Sequence, residues 1–283
     1  MRNTLLRFFV YPNIFIAFVA VMMSWETQYL RGFSDPVYLW FVFFSTLLSY
    51  SFHSIINTVY NDVSPRHQWN LKNRKWLLLI LFISGIATLW IFRQNYLDNI
   101  LPFVAGGILT FAYSAPNLPG KFFELLRRIA FGKTFFLAFM WAYATTMLPV
   151  LAYDPNANPI SAFLGSRFYL VYAICILFDL RDRKEDREKG IRALPTMVGD
   201  PAVKAFYFAS LLIAAFFSFM ETWPALTVTS IILLIPVVIG VFLFRLTKFR
   251  DSEMMYYVYL DGLMMLSAIL HVIYLFSITF VFV

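Results

Sequence analysis

The run Phe168-Tyr-Leu-Val-Tyr-Ala-Ile-Cys-Ile-Leu-Phe178 passes without a break into Asp179-Leu-Arg-Asp182-Arg-Lys-Glu-Asp186-Arg-Glu-Lys-Gly190. With its flanks, the first part is long enough to cross ~30 Å of hydrocarbon. The second part is almost wholly charged. On an α-helix turning about 100° per residue, positions i, i+3 and i+7 fall within roughly 60° of one another. Asp179, Asp182 and Asp186 therefore share one face at the point where a membrane helix meets water. Like charges so placed repel, and a helix that keeps them offers them to a cation. Mg²⁺ carrying a phosphate-rich ligand suits hard carboxylate oxygens.

The rest of the chain has the same character. Of 283 residues, 60% are apolar, 20% aromatic and only 14% charged, with a mean hydropathy of +0.70. A soluble domain of this length needs far more polar surface, so the sequence predicts an all-α, polytopic membrane protein folded as one domain over residues 1–283. Nine candidate membrane helices lie at about 5–24, 36–56, 76–93, 97–113, 129–151, 162–180, 203–220, 224–246 and 255–281. The first carries no small-residue cleavage site and reads as a retained helix. Of the 23 Lys and Arg, all but Arg31, Arg93 and Arg167 fall in the N-terminus and the connections after even-numbered helices. The positive-inside rule places those segments in the cytoplasm, in an inner (cytoplasmic) membrane. The net charge of +7 then reflects topology, and no nucleic-acid partner is expected. The single cysteine, Cys175, excludes a disulfide within the chain and reads as a small core residue.

Three of the cytoplasmic connections are richer in polar residues than topology requires. After helix 2, His53, Asn57 and Asn61 stand four apart and form a stripe whose amide oxygens suit a hard cation, or hydrogen bonds between helices; Asp62, Pro65 and Arg66 follow. After helix 4, Tyr113-Ser-Ala-Pro116-Asn-Leu-Pro-Gly-Lys121 ends the helix in a turn, with Arg127, Arg128 and Lys133 beyond it. Lys121 and Lys133 suit phosphate oxygens, and orientation alone also accounts for basic residues there. The third connection is the acidic face, for which the alternative is a solvated helix with internal pairs such as Asp179–Arg183. Deeper in the membrane, Asp261 is placed for an inter-helix hydrogen bond or for contact with an acceptor, and His271 for a packed hydrogen bond. Glu124 reads as a solvated loop acid.

These residues resemble the UbiA superfamily of intramembrane prenyltransferases over nearly the whole chain. The most specific match is that family's second motif, an Asp-x-x-Asp-x-x-x-Asp run leading to Gly and Leu-Pro, which stands here as Asp179, Asp182, Asp186, Gly190, Leu194 and Pro195. The Tyr-Ser-x-Pro turn is present as Tyr113, Ser114 and Pro116; Pro119 replaces a basic residue often found two places before Lys121. The first motif, Asn-Asp-x-x-Asp-x-x-x-Asp, aligns with Asn57, Thr58, Asn61 and Pro65, so its three aspartates are lost and Asp62 lies one residue out of register. The resemblance implies nine helices around a central apolar cavity, and a Mg²⁺-dependent transfer of a prenyl group from a polyprenyl diphosphate to a lipophilic acceptor. It implies a metal shell of Asp179, Asp182, Asp186, Asn57 and Asn61, with Arg66, Tyr113, Lys121 and Lys133 on the donor. Two alternatives share the fold. One is cyclisation of the isoprenoid, and the other is a non-catalytic isoprenoid-binding or scaffold relative, which the missing aspartates favour.

Overall fold

In a computed structural model, residues 7–57, 65–114, 132–156, 161–188, 190, 192–245 and 252–281 are described. Among them every regular element is helical. Residues 7–10 form a short helical stretch. It is broken at Tyr11, Pro12 and Asn13, where Asn13 takes φ 68°, so the first long helix, α1, runs Ile14–Leu30 rather than from residue 5. The remaining elements are α2 (Pro36–Asn57), α3 (Pro65–Lys72), α4 (Arg74–Asn95), α5 (Ile100–Ser114), α6 (Gly132–Ala142), α7 (Leu148–Tyr153) and α8 (Ser161–Glu188). They are followed by α9 (Leu194–Met197), α10 (Asp200–Met220), α11 (Val228–Leu243), α12 (Asp261–Met264) and α13 (Leu266–Val281). Two π-helical turns interrupt this series, Tyr143–Met147 between α6 and α7 and Met255–Leu260 before α12.

Among the described residues five helical segments are long and apolar enough to cross a membrane: Pro36–Ile56, Arg74–Asn95, Thr134–Tyr153, Ala162–Lys184 and Asp200–Met220. A sixth is the pair Met255–Met264 and Leu266–Thr279, bent by 55°. Ile14–Leu30, Leu97–Phe111 and Val228–Leu243 are apolar but shorter. Seventeen residues in α1 rise only about 25 Å.

Neighbours in sequence are neighbours in space. α1 packs on α2, α2 on α4, α6 on α8, α8 on α10, α10 on α11, and α11 on α13. Phe103 of α5 meets Phe92 of α4 and Phe41 of α2, at 5.4 and 5.1 Å between ring centres. α13 then closes on α1, so the helices make a ring. α8 is the most deeply buried of the five long segments and α4 the least. Close approach explains part of this. A Cβ on Gly165 of α8 would stand 2.9 Å from the Phe217 ring of α10, and one on Gly240 of α11 would stand 3.1 Å from Leu211.

The acidic run continues α8 by two turns beyond the expected end at 180, and its boundary residues have local reasons. Gly190 takes φ 68° and its N–H donates to the Arg187 carbonyl at 3.2 Å. This is the left-handed exit that glycine makes without a Cβ penalty. Thr196 Oγ1 then accepts from the Ala193 N–H at 3.0 Å, Pro195 occupies the first turn of α9, and Leu194 is fully buried. The Gly-to-Leu-Pro part of the motif is thus a helix stop followed by an anchored turn.

Candidate functional site

Asp179, Asp182 and Asp186 follow one another down the last turns of α8, and the first two have different partners. Asp179 is buried and accepts from the Thr134 hydroxyl of α6. Asp182 is half-buried and takes both its oxygens to the adjacent guanidinium, Arg181 Nε donating at 2.7 Å and Nη2 at 3.2 Å. Asp186 is buried. The internal pair of the alternative reading, Asp179–Arg183, gives way to one between elements, Arg183 bridging to Asp200 at the start of α10.

Sharing a face is not sharing a point. Seven residues of helix separate Asp179 and Asp186 by about 10 Å along the axis, whereas Mg²⁺ holds its ligands at about 2.0–2.1 Å. Among the described residues no three His, Cys, Asp or Glu come together as a metal-holding group. Carboxylate oxygens are the donors a hard cation takes, so α8 could offer them only singly or as neighbouring pairs, and any remaining ligands would have to come from elsewhere. Asn61, Asp62, Lys121 and Glu124 lie outside the described residues, as do the side chains of Asn57, Tyr113 and Lys133.

Among the described residues of the first connection, Arg66 is placed against the side chains at the end of α8. It opens α3, and its guanidinium lies 4.5 Å from the centre of the Tyr257 ring. Arg181 approaches the same ring, at 5.2 Å, and stands over Tyr256 at 4.6 Å and Phe178 at 5.2 Å. Aromatic faces attract cations, so the Tyr257 ring draws the two guanidiniums to one place. Arg66 is fixed from two further directions, Nη2 donating to Asn13 Oδ1 at 2.5 Å and its backbone N–H to Glu253 Oε1 at 3.2 Å. Among the described residues Arg66 Nε is buried with no hydrogen-bond partner. Tyr11 donates to the other oxygen of Glu253, and burial, then that hydrogen bond, pushes the Tyr11 hydroxyl up to about 12. Asp261, one turn beyond Tyr257, is buried and feels both Arg66 and Arg181.

The cluster therefore sets Arg66 and Arg181 against Asp182 and Glu253, two formal positive charges against two negative, with the buried Asp261 beside them. Such a place accepts an anion readily only in company with a cation. Sequence reasoning named Arg66, Asp182 and Asp261 but missed Asn13, Glu253 and the pair Tyr256-Tyr257. The available signal was an acid and two aromatics opening the last helix immediately after a basic loop.

A second polar group lies toward the other end of the bundle; sequence reasoning placed His271 in a packed hydrogen bond, as found, but missed Glu26 and Arg167 beside it. Glu26 of α1, fully buried, pairs with Arg167 of α8, accepts from Ser267 Oγ at 2.8 Å, and contacts His271 Nδ1 of α13 at 2.7 Å. At this end too, Arg31 pairs with Glu221 at 2.6 Å; burial nonetheless raises the Glu221 carboxyl above its ordinary range. Asp35 caps α2 by accepting from the Tyr38 N–H at 3.0 Å, and it accepts from the Tyr96 hydroxyl at 3.0 Å.

No family model, curated protein or solved structure matches this chain.

Proposed function

We propose that the protein is an intramembrane prenyltransferase, moving a prenyl group from a polyprenyl diphosphate to a lipophilic acceptor. The observation that carries this reading is the meeting of Arg66 and Arg181 on the Tyr257 ring, beside Asp182, at one end of an apolar ring of helices. It joins the connection after α2 to the acidic end of α8, the two places where the family resemblance locates donor binding. In this reading nine helices cross the inner membrane around an apolar cavity, with the Asp179 end facing the cytoplasm. The isoprenoid chain lies among the aromatic side chains and the diphosphate at the mouth.

The reaction breaks the bond between C1 of the prenyl chain and the diphosphate oxygen. Pyrophosphate leaves with the electron pair, the acceptor forms a new bond to C1, and a proton leaves the acceptor. Arg66 and Arg181 hold phosphate oxygens and neutralise the charge that grows on the leaving group, where water is scarce and such contacts act strongly. Mg²⁺, when bound by Asp182 with Asp179 or Asp186 and by Asn57 and Asn61, would supply further charge neutralisation. Lys121 and Lys133 would complete the phosphate contacts, and Tyr113 would flank the donor.

One observation favours a different outcome. The positions aligned with the first motif are Asn57, Thr58, Asn61 and Pro65, none of them anionic, which suits a relative that holds an isoprenoid without cleaving it. Purified protein given geranylgeranyl diphosphate and Mg²⁺ decides the matter. Release of pyrophosphate, lost in Asp182→Ala, is expected; donor binding without release would leave the non-catalytic reading. Release with no acceptor present, yielding a cyclic hydrocarbon, would indicate cyclisation.

A further inference from the structure

Arg167, Glu26 and His271 come from three different helices, are at most 2% exposed, and meet on one carboxylate. Much of their hydrogen-bonding capacity is unused. His271 Nδ1 lies 2.7 Å from Glu26 Oε1 and 3.1 Å from the Ser267 carbonyl. The carbonyl can only accept, so Nδ1 carries the hydrogen, and in the neutral ring Nε2 presents a lone pair. Among the described residues Nε2 has no partner, and neither do Nε and Nη1 of Arg167. Buried polar atoms are rarely left in this condition. Around them are aromatic faces. The Arg167 guanidinium lies 4.8 Å from the centre of the Phe163 ring, the Tyr29 ring is 5.4 Å from the imidazole, and Trp25 stacks on Tyr29.

An independent feature stands at the same level. Thr27, next to Glu26, donates to the carbonyl of Thr145 at 2.7 Å, inside the π-helical turn Tyr143–Met147. Thr146 Oγ1 in that turn is likewise buried and unpartnered among the described residues. π-turns widen a helix locally and recur at binding sites.

We propose that this cluster is a second binding site, for the hydroxyl head of an apolar molecule. A hydroxyl supplies what the site lacks, donating its hydrogen to His271 Nε2 and accepting on its oxygen from an Arg167 N–H. A neutral head matches a site where Arg167 and Glu26 already cancel, and the aromatic surroundings suit an apolar body. The site is separate from the diphosphate end, since α8 rises about 18 Å between Arg167 and Asp179, and it stands whether or not prenyl transfer occurs.

The test uses a matched pair of probes, 4-heptylphenol and heptylbenzene, and the melting midpoint of the full-length protein in detergent. The phenol is expected to raise the midpoint by roughly 5 °C more than the hydrocarbon at about a hundredfold excess over its Kd. His271→Asn keeps a donor where Nδ1 stands and deletes Nε2, so it should abolish the difference while leaving the probe-free midpoint close to wild type. Should that variant not fold, Arg167→Lys serves instead, keeping a cation for Glu26 while removing the free guanidinium N–H groups. Equal shifts from the two probes in the wild type, with the polar atoms satisfied by internal water, would overturn the proposal. So would a difference that survives in either variant.

Discussion

Asp182 is held by its own neighbour, and that contact defines what its replacement should do. Asp182→Asn keeps the shape and loses the charge that balances Arg181. Its pyrophosphate release should fall by roughly 100-fold or more, measured with geranylgeranyl diphosphate at saturating Mg²⁺. Arg66→Gln removes a guanidinium from the Tyr257 ring while leaving the backbone contact to Glu253. The donor KM should rise by roughly tenfold or more with a smaller change in kcat, as expected when a charge-assisted contact to the bound donor is lost. Tyr11 offers a test of the same region that needs no substrate. Its hydroxyl titrates near 12 in the folded protein against 10.0 for the free side chain. The folded state therefore prefers the neutral form, and this contribution to stability is complete below pH 10 and lost as pH rises toward 12. The melting midpoint should fall through that window in the wild type, and Tyr11→Phe should show a shallower fall. Equal slopes would mean that the Tyr11–Glu253 contact does not couple to folding.

Among the elements, α8 has the most to lose from a change of shape, since it packs against both α6 and α10. Gly165 lies where even one extra carbon would press on the Phe217 ring. Gly165→Leu should destabilise the protein by about 1–3 kcal/mol through overpacking, read as a lower detergent melting midpoint. Phe217→Ala in the same chain should recover part of the loss, whereas a simple propensity effect would not be rescued. Element positions were largely legible beforehand because apolar runs bounded by Pro, Gly and charge leave few choices. The misses have physical causes. Apolarity continues from residue 5, yet Pro12 and the left-handed Asn13 start α1 at Ile14. The last helix reads as continuous from 255 to 281, yet it bends by 55° at Met265, and hydropathy carries no signal for such a bend. The acidic face was visible as an angle around a helix axis. That its members reach different partners depends on axial rise and on Thr134, Arg181 and the elements that carry them, none of which spacing within α8 encodes. The convergence on Tyr257 joins residues nearly two hundred positions apart and was invisible for the same reason.

For the molecule as a whole, the uneven distribution of basic residues takes on added meaning from the ion pairs. Two of the three exceptions, Arg31 and Arg167, are bound to Glu221 and Glu26, so they are explained by acids and carry little weight in orientation. The charge split then predicts that positions 184 and 225 face opposite aqueous phases. With Cys175 replaced by Ser, Lys184→Cys should react with a membrane-impermeant maleimide only from the cytoplasmic side of sealed vesicles. Ala225→Cys should react only from the other side. Labelling of both from one side would remove the topology on which the placement of the diphosphate end depends.

The closure of the ring has one more consequence. Tyr11 before α1 touches Glu253 before the last helix, and Glu26 late in α1 touches His271 deep in α13. The opening and closing passes therefore lie side by side pointing the same way, whereas consecutive passes alternate in direction. On the nine-pass topology proposed above, the first and last passes run in one direction, so residues 7 and 281 would emerge into different compartments. Halves of a split fluorescent reporter fused at these two extremities would never meet within one molecule.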